Sequence, residues 1–484
     1  MLRSILVILL HLLIIVSLCC LVYHNSLVND FAFDDHLAII NNRDVDASSS
    51  NAIDLWRHDC WGKDLSQIDS HRSYRPLLIL IFRYLRSFFG LNASVFRMVS
   101  IAAHSLASCL VYFLAHIITL NEWTALSSAL LFATHPVHVE AVAAVVNMAE
   151  PLSCCCYLLA LITFLLATRI RLERESSSWG YIVSSITFHI LVSAFVIIGF
   201  LIKETTITAT AAILSSAVLI SFQTCLNDTD KKSVGPRLIS VLRRFGTWIA
   251  LSLILLALYV SLRLILTTDM NPLGVLFSQG LKPLFGQLSH FMTRPQQRKA
   301  IFLEQSELIR KAENPFAFLH GQEYVLSMMY LHFRYLYLLL WPDPLCAEYS
   351  FDCIPKVSST MDVRNLYSLA SYLALLSFLC TGLWEVMSNI RLMKTSESTF
   401  SSCRNSSNES ADDVPMVILP PDSVSADASA LGQVTLWLLL SFLPASGVFL
   451  RLGTLLAERL LYTPSGKDPL LFTGVFMLIG FLLP

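Results

Sequence analysis

The run LRSILVILLHLLIIVSLCCLVY, Leu2 to Tyr23, decides the fold class of this chain. It is long enough to cross the hydrocarbon of a bilayer, which takes about 20 mostly apolar residues. Arg3 precedes the apolar run and no small-x-small pattern stands before His24, so we predict an uncleaved signal anchor. With Arg3 in the cytosol, the segment that follows Tyr23 faces the lumen.

The composition extends this membrane interpretation to the whole chain. Of the 484 residues, 55% are hydrophobic and 14% are charged, with a net charge of -1 and a mean hydropathy of +0.61. Such a chain is too apolar for a soluble domain and has no basic excess for nucleic acid, so we expect no nucleic-acid partner. The predicted fold class is therefore all-α, a polytopic transmembrane helical bundle. Further spans are predicted at about 95–118, 124–146, 152–168, 179–201, 205–222, 246–266, 366–386, 433–450 and 469–484.

Two apolar segments carry charges that argue against crossing. Leu77 to Phe89 contains Arg83 and Arg86, whose spacing puts both on one helical face, so we predict a helix lying in the interface. Tyr324 to Trp341 contains a central Arg334, which costs about 3 kcal/mol in lipid even on lenient scales. We therefore predict a re-entrant or interfacial segment there.

This placement keeps 267–365 lumenal and the basic residues after 386 cytosolic. The sequons at Asn405 and Asn408 oppose it, because glycosylation requires the lumen. The predicted parts are a signal anchor (1–23), a first lumenal loop with the interfacial helix (24–94), a helical core (95–266), a lumenal or re-entrant segment (267–365) and C-terminal helices (366–484) with a flexible linker (395–430).

Several short motifs occur in a fixed order between residues 30 and 464. They are Phe31-Ala32-Phe33-Asp34-Asp35, Trp61-Gly62, Ser70-His71-Arg72-Ser73-Tyr74-Arg75-Pro76-Leu77, His135-Pro136-Val137-His138-Val139-Glu140-Ala141-Val142, Lys203-Glu204, Tyr337-Leu338-Leu339-Leu340-Trp341-Pro342, Phe351-Asp352-Cys353-Ile354-Pro355, Leu443-Pro444-Ala445-Ser446 and Leu456-Ala457-Glu458-Arg459. Each motif is weak alone, but the ordered set is specific. Together they resemble the TMTC family of endoplasmic-reticulum protein O-mannosyltransferases.

The resemblance implies a bundle of GT-C type in the endoplasmic-reticulum membrane, with lumenal loops. It implies transfer of mannose from dolichyl phosphate mannose to Ser or Thr hydroxyls of secretory-pathway proteins, with no cofactor beyond the lipid-linked donor. Its expected partners are the donor, the acceptor proteins and the membrane lipids.

The chain departs from the family pattern in three respects, one of which is that the expected sequence gives way to Gly466-Lys467-Asp468 after Thr463-Pro464-Ser465. It has no 34-residue tetratricopeptide periodicity, which leaves room for a soluble acceptor-binding subunit. It also reads Asn147-Met148-Ala149-Glu150 where relatives tend to read Gly-Arg-Ala-Glu, which removes a cation. These departures keep a second interpretation open, a catalytically inactive membrane scaffold or chaperone-like partner. A transporter is a third, but we find no internal inverted repeats.

Transfer of a sugar from a lipid phosphate requires a base for the acceptor hydroxyl and cations for the leaving phosphate. By the resemblance, Asp34 or Asp35 is the base, and the sequence does not distinguish them. The competing interpretation is a turn capped by two aspartates. The candidate phosphate ligands are Arg72, Arg75, Lys203 and Arg459. The competing roles for these cations are contacts with lipid headgroups and structural pairing with glutamate.

His135, His138 and Glu140 have a spacing that a zinc site could use, but no cysteine pair or second cluster completes it, so we predict no metal. We assign these three residues, with Glu204 and Glu458, to acceptor binding or site polarity. Cys346 and Cys353 enclose a short loop that a lumenal disulfide could close, and this would leave Cys60 unpaired.

Overall fold

A computed structural model gives the fold, and it describes residues 2–67, 70–71, 73–173, 179–227, 234–267, 311–346, 348–381, 435–447 and 453–465. In these residues the regular structure is helical, and strand pairing is limited to two isolated bridges, His58 with Asp64 and Tyr349 with Leu456. The predicted all-α class is confirmed. The predicted linker, the two sequons and the last predicted span lie outside the described residues.

The helices are α1 (Leu2–Tyr23), α2 (Pro76–Phe89), α3 (Ala93–Thr119), α4 (Glu122–Thr134), α5 (Val139–Ala143), α6 (Ala149–Glu173), α7 (Trp179–Ile202), α8 (Thr208–Asn227), α9 (Val234–Thr267), α10 (Gly321–Leu340), α11 (364–381), α12 (435–442) and α13 (Tyr462–Ser465). Short 3-10 turns connect several of them. Two such turns, Pro136–His138 and Val145–Met148, flank α5.

Within the described residues, four helical stretches are long and apolar enough to cross a membrane. They are Ser4–Val28, Ala93–Thr119, Val145–Arg169 and Val183–Ile202. Inside the first stretch only 17% of the most apolar window is buried, against 61% in α3 and 67% in α6. Accordingly α3 and α6 lie at the centre of the bundle, and α1 lies at its edge with most side chains open to lipid.

The chain reverses direction between α3 and α4 in a tight capped turn. Leu120 ends α3 in the left-handed region with φ 56°, and Asn121 then caps α4. The side-chain oxygen of Asn121 accepts bonds from the amides of Trp123 and Thr124 at 2.9 and 3.1 Å. A cap of this kind contributes about 1 kcal/mol, and here it fixes α3 and α4 as antiparallel neighbours.

The prediction of one span over 124–146 is wrong. α4 ends at Thr134 because Pro136 has no backbone N–H to continue the helix. The ring Nδ1 of His135 then accepts the amide of Val137 at 3.2 Å and caps the following turn. The chain continues through α5 and a second 3-10 turn to α6, so 135–148 is a break between two helices. We call these residues the 135–148 break.

α6 and α7 pack closely at Gly199, one turn before Lys203. The amide of Lys203 donates to the carbonyl of Gly199 at 2.8 Å, so this turn sets the position of the lysine. A Cβ at residue 199 would lie 2.5 Å from Cγ2 of Thr206 and 2.8 Å from Cβ of Cys156. Both distances are too short for carbon atoms, so only glycine fits without a shift of α7.

We expect Gly199→Ala to lower the stability of the protein by about 1 to 3 kcal/mol, the usual cost of overpacking a core. The thermal midpoint in detergent micelles measures it. Gly246→Ala is the matched control, because a Cβ there meets no described atom within 4 Å. In a helix interior that change gains about 1 kcal/mol in propensity. Equal melting of the two variants would contradict the close packing at residue 199.

The first loop is held by the two arginines of α2. Nη1 of Arg83 donates to the carbonyl of Asp44 and the hydroxyl of Ser50, at 3.0 and 2.9 Å. Arg86 forms an ion pair with Asp46 at 2.8 Å. The predicted helix is present, and the shared face of its two cations contacts the loop. Its placement in the membrane interface stays a prediction.

α10 is a full helix through the segment predicted to be re-entrant or interfacial, and it is not among the four membrane-length stretches found in the described residues. Both ring nitrogens of His332 are bonded, to the hydroxyl of Tyr372 and the carbonyl of Ser446, each at 2.6 Å. The guanidinium of Arg334 lies 5.4 Å from the ring centre of Tyr337. The side on which α10 lies stays a prediction.

The suggested disulfide between Cys346 and Cys353 is not formed, since both thiols are free. Sγ of Cys346 instead donates to the carbonyl of Glu348 at 3.1 Å. Cys60 is buried with its sulfur 2.7 Å from the hydroxyl of Ser73, and burial raises the pKa of this thiol to about 11. It is therefore a structural thiol.

Candidate functional site

Asp34 and Asp35, which we call the acidic pair, lie on a tight turn that places their two carboxylates in different environments. Phe33 precedes the pair with φ 48°, a left-handed conformation that costs a bulky residue about 1 to 2 kcal/mol. The amide of Asp35 donates to the carbonyl of Ala32 at 3.0 Å and closes the turn. Asp34 is exposed, whereas only 1% of the surface of Asp35 is accessible.

Backbone amides occupy both oxygens of Asp35. Oδ1 accepts the amide of Val146 at 2.7 Å, and Oδ2 accepts the amide of Ala32 at 3.2 Å. Burial raises the pKa of Asp35, while these amides, the amide of Val145 and the charge of Arg97 offset part of the rise. We call residues 29–38 the acidic loop. Asp35 thus connects the acidic loop to the 135–148 break.

A buried ion pair joins α6 to the end of α7. Nζ of Lys203 donates to a carboxylate oxygen of Glu150, and the two side chains are 6% and 4% exposed. Glu150 is the acid of the sequence Asn147-Met148-Ala149-Glu150, which departs from the family pattern. Met148 of this sequence is fully buried and apolar.

The two remaining described cations of the predicted site are also paired with glutamate. Arg459 donates to Glu140 through its side chain, and its backbone amide donates to the same carboxylate at 2.9 Å. Nε of Arg75 lies 3.4 Å from Glu204, which also accepts the amide of Tyr74 at 2.6 Å. Arg75 with Glu204 is the looser of these two contacts.

None of these pairs joins sequence neighbours, although Lys203 stands beside Glu204 and Glu458 beside Arg459. Glu458 instead accepts the hydroxyl of Tyr349 at 2.8 Å and the amide of Cys346 at 3.0 Å. Burial raises the pKa of Glu458, and these two donors offset part of the rise. The glutamates therefore link the first loop, the break, α6, the end of α7 and the segment after α12.

The charges of the two paired arginines act on Lys203. Burial is the main cause that lowers the pKa of Lys203, and Glu150 opposes it. The like charges of Arg75 and Arg459 lower this pKa further, so both lie within electrostatic range of the ammonium group. Arg72, the fourth predicted cation, lies outside the described residues. We call Arg75, Lys203 and Arg459, three of the four predicted phosphate ligands, the cation cluster.

The two histidines of the break connect helices. Nε2 of His135 is bonded to the carbonyl of Leu339 in α10 at 2.9 Å. His138 is fully buried, with Nδ1 bonded to the carbonyl of Phe132 and Nε2 to the hydroxyl of Ser465, at 2.8 and 2.7 Å. Among the described residues, no group of three or more His, Cys, Asp or Glu side chains could hold a metal ion. His135 and His138 thus connect α4, α10 and α13.

Two residues that we did not single out contribute to the site. Arg97 of α3 is 3% exposed and donates to backbone carbonyls of the acidic loop and of the break. An arginine inside a predicted span was a signal that could have found it. Desolvation lowers the pKa of His71, and so does Arg75, whereas Asp34 acts in the opposite direction. The amide of His71 donates to Asp59 at 3.0 Å.

The fold and the site define a polytopic helical membrane protein with an exposed carboxylate on its first loop and a buried ion pair at the end of α7. The family model described as "Protein O-mannosyl-transferase TMTC, DUF1736" matches residues 304–376. No solved structure matches the chain.

Relatives of the same name cover nearly the whole chain. Protein O-mannosyl-transferase Tmtc1 of Drosophila melanogaster is 28% identical over 94% of this chain and 50% of its own length. TMTC4 of Homo sapiens is 29% identical over 94% of this chain and 53% of its length, and TMTC1 of Mus musculus is 27% identical over 94% and 48%. The chain thus spans about half the length of these relatives. The resemblance to the TMTC proteins that the motifs predicted is confirmed.

Proposed function

We propose that the chain transfers mannose from dolichyl phosphate mannose to Ser or Thr hydroxyls of secretory-pathway proteins in the endoplasmic-reticulum membrane. One observation carries the proposal: the exposed carboxylate of Asp34 stands beside Asp35, which is bonded to the same break that supplies Glu140 to the cation cluster. A base and phosphate-binding charges are thereby held on one framework. The relatives named protein O-mannosyl-transferase support the reaction class.

The reaction is a direct displacement at the anomeric carbon. The acceptor oxygen forms a bond to that carbon, and the bond from the carbon to the phosphate oxygen breaks with its electron pair on the phosphate. The hydroxyl proton goes to a carboxylate. Because the acceptor oxygen attacks on the face opposite the leaving phosphate, the configuration at the carbon inverts. Phosphate is a good leaving group and requires no general acid, only cations that stabilise its charge.

Accessibility divides the roles of the two aspartates. A general base must lie within hydrogen-bond reach of the acceptor hydroxyl. Asp34 is exposed, so an acceptor hydroxyl can reach its carboxylate, whereas Asp35 is buried and both of its oxygens accept backbone amides. We therefore assign proton abstraction to Asp34 and anchoring of the loop to Asp35.

Among the described cations, Arg75 is the best placed to take the donor phosphate. Its contact with Glu204 is long, at 3.4 Å, and 23% of its side chain is exposed. A planar guanidinium can bind two phosphate oxygens at once, so an arriving phosphate competes well with a single loose carboxylate contact. Lys203 and Arg459 then add positive potential, and Glu140, Glu150 and Glu204 pair with the three cations. Glu458 anchors the segment that carries Arg459 through Tyr349 and the amide of Cys346. Arg72 remains a proposed further ligand.

Labelled mannose transfer in microsomes tests the function. The full chain is compared with the Asp34→Asn, Asp35→Asn double variant, using dolichyl phosphate mannose and, in a parallel arm, dolichyl phosphate glucose. We expect label on secretory proteins only with wild type and the mannose donor. Transfer that survives in the double variant would support a membrane scaffold that only accompanies another transferase. Transfer from the glucose donor alone would overturn the assignment of the sugar.

Arg75→Ala should raise the donor KM by about 10- to 100-fold, because a charge-assisted hydrogen bond contributes about 1.5 to 3 kcal/mol. Arg75→Lys should recover part of the lost donor affinity, since lysine restores the charge but not the planar guanidinium that binds two phosphate oxygens. The matched control is Arg86→Ala in α2, the helix that follows Arg75, where Arg86 contacts Asp46 and the carbonyl of Ile40. A donor KM that stays at the wild-type value in Arg75→Ala would exclude the phosphate contact.

A further inference from the structure

Arg97 is a buried cation whose guanidinium donates entirely to backbone in the contacts that the structure gives it. Nε donates to the carbonyl of Ala143 at 2.9 Å, Nη2 to the carbonyl of Asp30 at 2.6 Å, and Nη1 to the carbonyl of Asn29. The residue lies in the second turn of α3 and is 3% exposed. One side chain thus joins α3, the acidic loop and the 135–148 break.

These three bonds stand next to the contact that anchors Asp35. Asn29 and Asp30 precede the acidic turn, and Ala143 precedes Val146, the residue whose amide binds Asp35 at 2.7 Å. Arg97 therefore holds the two chain segments that meet at this contact. Its charge also acts on the carboxylate of Asp35 and opposes the effect of burial there.

We propose that Arg97 is a positioning residue that fixes the acidic loop against the 135–148 break and so sets the place of the Asp34 carboxylate. The proposal rests on the proposed function in assigning the base to this loop. A rigid fork with five donors matches carbonyls from separate segments, whereas a lysine ammonium is a single point with three donors on a flexible stem. Lysine at residue 97 thus keeps the positive charge but cannot reproduce the bonds of the arginine fork to three carbonyls.

Arg83 provides a matched control. It too donates to backbone carbonyls of the first loop, those of Asp44, Ala47 and Ser50, and to the hydroxyl of Ser50. These contacts hold the part of the loop after the acidic turn. Arg83→Lys therefore removes the same kind of bonds in the same loop without touching the turn.

The first test is steady-state transfer by the full chain in proteoliposomes. We expect Arg97→Lys to lower kcat by about 10- to 100-fold with an unchanged donor KM, because misplacing a reacting group by about 1 Å costs up to 10²-fold. Arg83→Lys should keep kcat. Equal kcat in the two variants would overturn the proposal, and so would a raised KM at unchanged kcat, which would mean that Arg97 contacts substrate.

The second test does not depend on activity. Amide hydrogen exchange is followed in peptides covering 29–38 and 143–148, and in peptides covering 44–50 as reference. Arg97→Met is added because an apolar residue enters a membrane helix more readily than arginine, so insertion should not fail. Both Arg97 variants should exchange at least about tenfold faster in the first two peptides, given the loss of charge-assisted bonds.

The two tests distinguish the proposed function from the positioning role of Arg97. If wild type transfers no mannose but the Arg97 variants exchange faster at 29–38, the proposed function fails and the positioning of the loop stands. If exchange at 29–38 and 143–148 equals that of wild type, Arg97 does not position the loop, whatever the activity. Faster exchange in 44–50 as well would indicate general loosening and would also overturn the proposal.

Discussion

Replacing Asp34 with asparagine should lower the rate of mannose transfer by about 10²- to 10⁴-fold, the usual contribution of a general base. Asparagine keeps the size of the side chain but takes no proton near neutral pH. Asp34 is exposed, so the change should leave insertion, melting and donor KM as in wild type. The measurement is kcat for labelled mannose transfer, with donor KM and the thermal midpoint determined on the same preparation.

Asp35→Asn is the matched control, and it should behave differently. Its amide oxygen can still accept the amide of Val146, but its NH₂ group then faces the amide of Ala32, where the carboxylate accepted a bond. A buried donor left without an acceptor costs about 1 to 3 kcal/mol, so the thermal midpoint should fall. If Asp35→Asn instead loses more turnover than Asp34→Asn while melting like wild type, the two roles are reversed.

The helices could be predicted from the sequence because apolar length is a local property. The predicted spans at 95–118, 152–168 and 179–201 correspond to α3, α6 and α7, with ends differing by a few residues. The span at 124–146 failed for a local reason as well. Pro136 is a sequence signal for the end of a helix, and the apolar residues of α5 continue the hydrophobic run beyond it.

The pairing of charges could not be predicted, because sequence adjacency says little about which side chains meet in a bundle. Glu150 and Lys203 lie 53 positions apart, and Glu140 and Arg459 lie 319 apart. Both pairings depend on the 135–148 break, which redirects the chain between α4 and α6. Without knowledge of that break, Lys203 with Glu204 was the natural local choice.

The difference between Asp34 and Asp35 could not be predicted either. Two adjacent identical residues carry the same local information, and what separates them is the amide of Val146, 111 positions away from Asp35. Arg97 is the opposite case, since an arginine in a predicted span is itself a signal. The sequence therefore predicted the acidic pair and three described cations as candidate site residues. Only the three-dimensional contacts suggest a different role for each of them.

The buried pair of Lys203 and Glu150 provides the largest expected effect on stability. Removing one partner, as in Lys203→Met or Glu150→Met, leaves the other group buried without its countercharge and without its hydrogen-bond partner. For a pair with 6% and 4% exposed side chains, we expect each single change to destabilise the protein by about 3 to 5 kcal/mol. The measurement is the free energy of unfolding or, where unfolding is irreversible, the thermal midpoint.

The double change Lys203→Met, Glu150→Met distinguishes a structural role from a part in catalysis. Replacing both charges by apolar side chains of similar volume is often neutral for stability, so the double variant should melt close to wild type. If Lys203 contributes positive potential at the donor phosphate, the stable double variant should still use the donor poorly, with a raised KM. Full activity in a stable double variant would reduce the pair to a structural element.

The exposed pair of Lys356 and Glu323 is the control for the stability argument, with side chains 54% and 39% exposed and 3.4 Å between charged atoms. Breaking it should change stability by at most about 1 kcal/mol, because solvent screens such pairs. The difference between the stability costs of breaking the two ion pairs is a stronger test than either cost alone. If Lys203→Met and Lys356→Met cost the same, Lys203 is not a buried partner of Glu150, and the cation cluster would lose the residue on which the charges of Arg75 and Arg459 act.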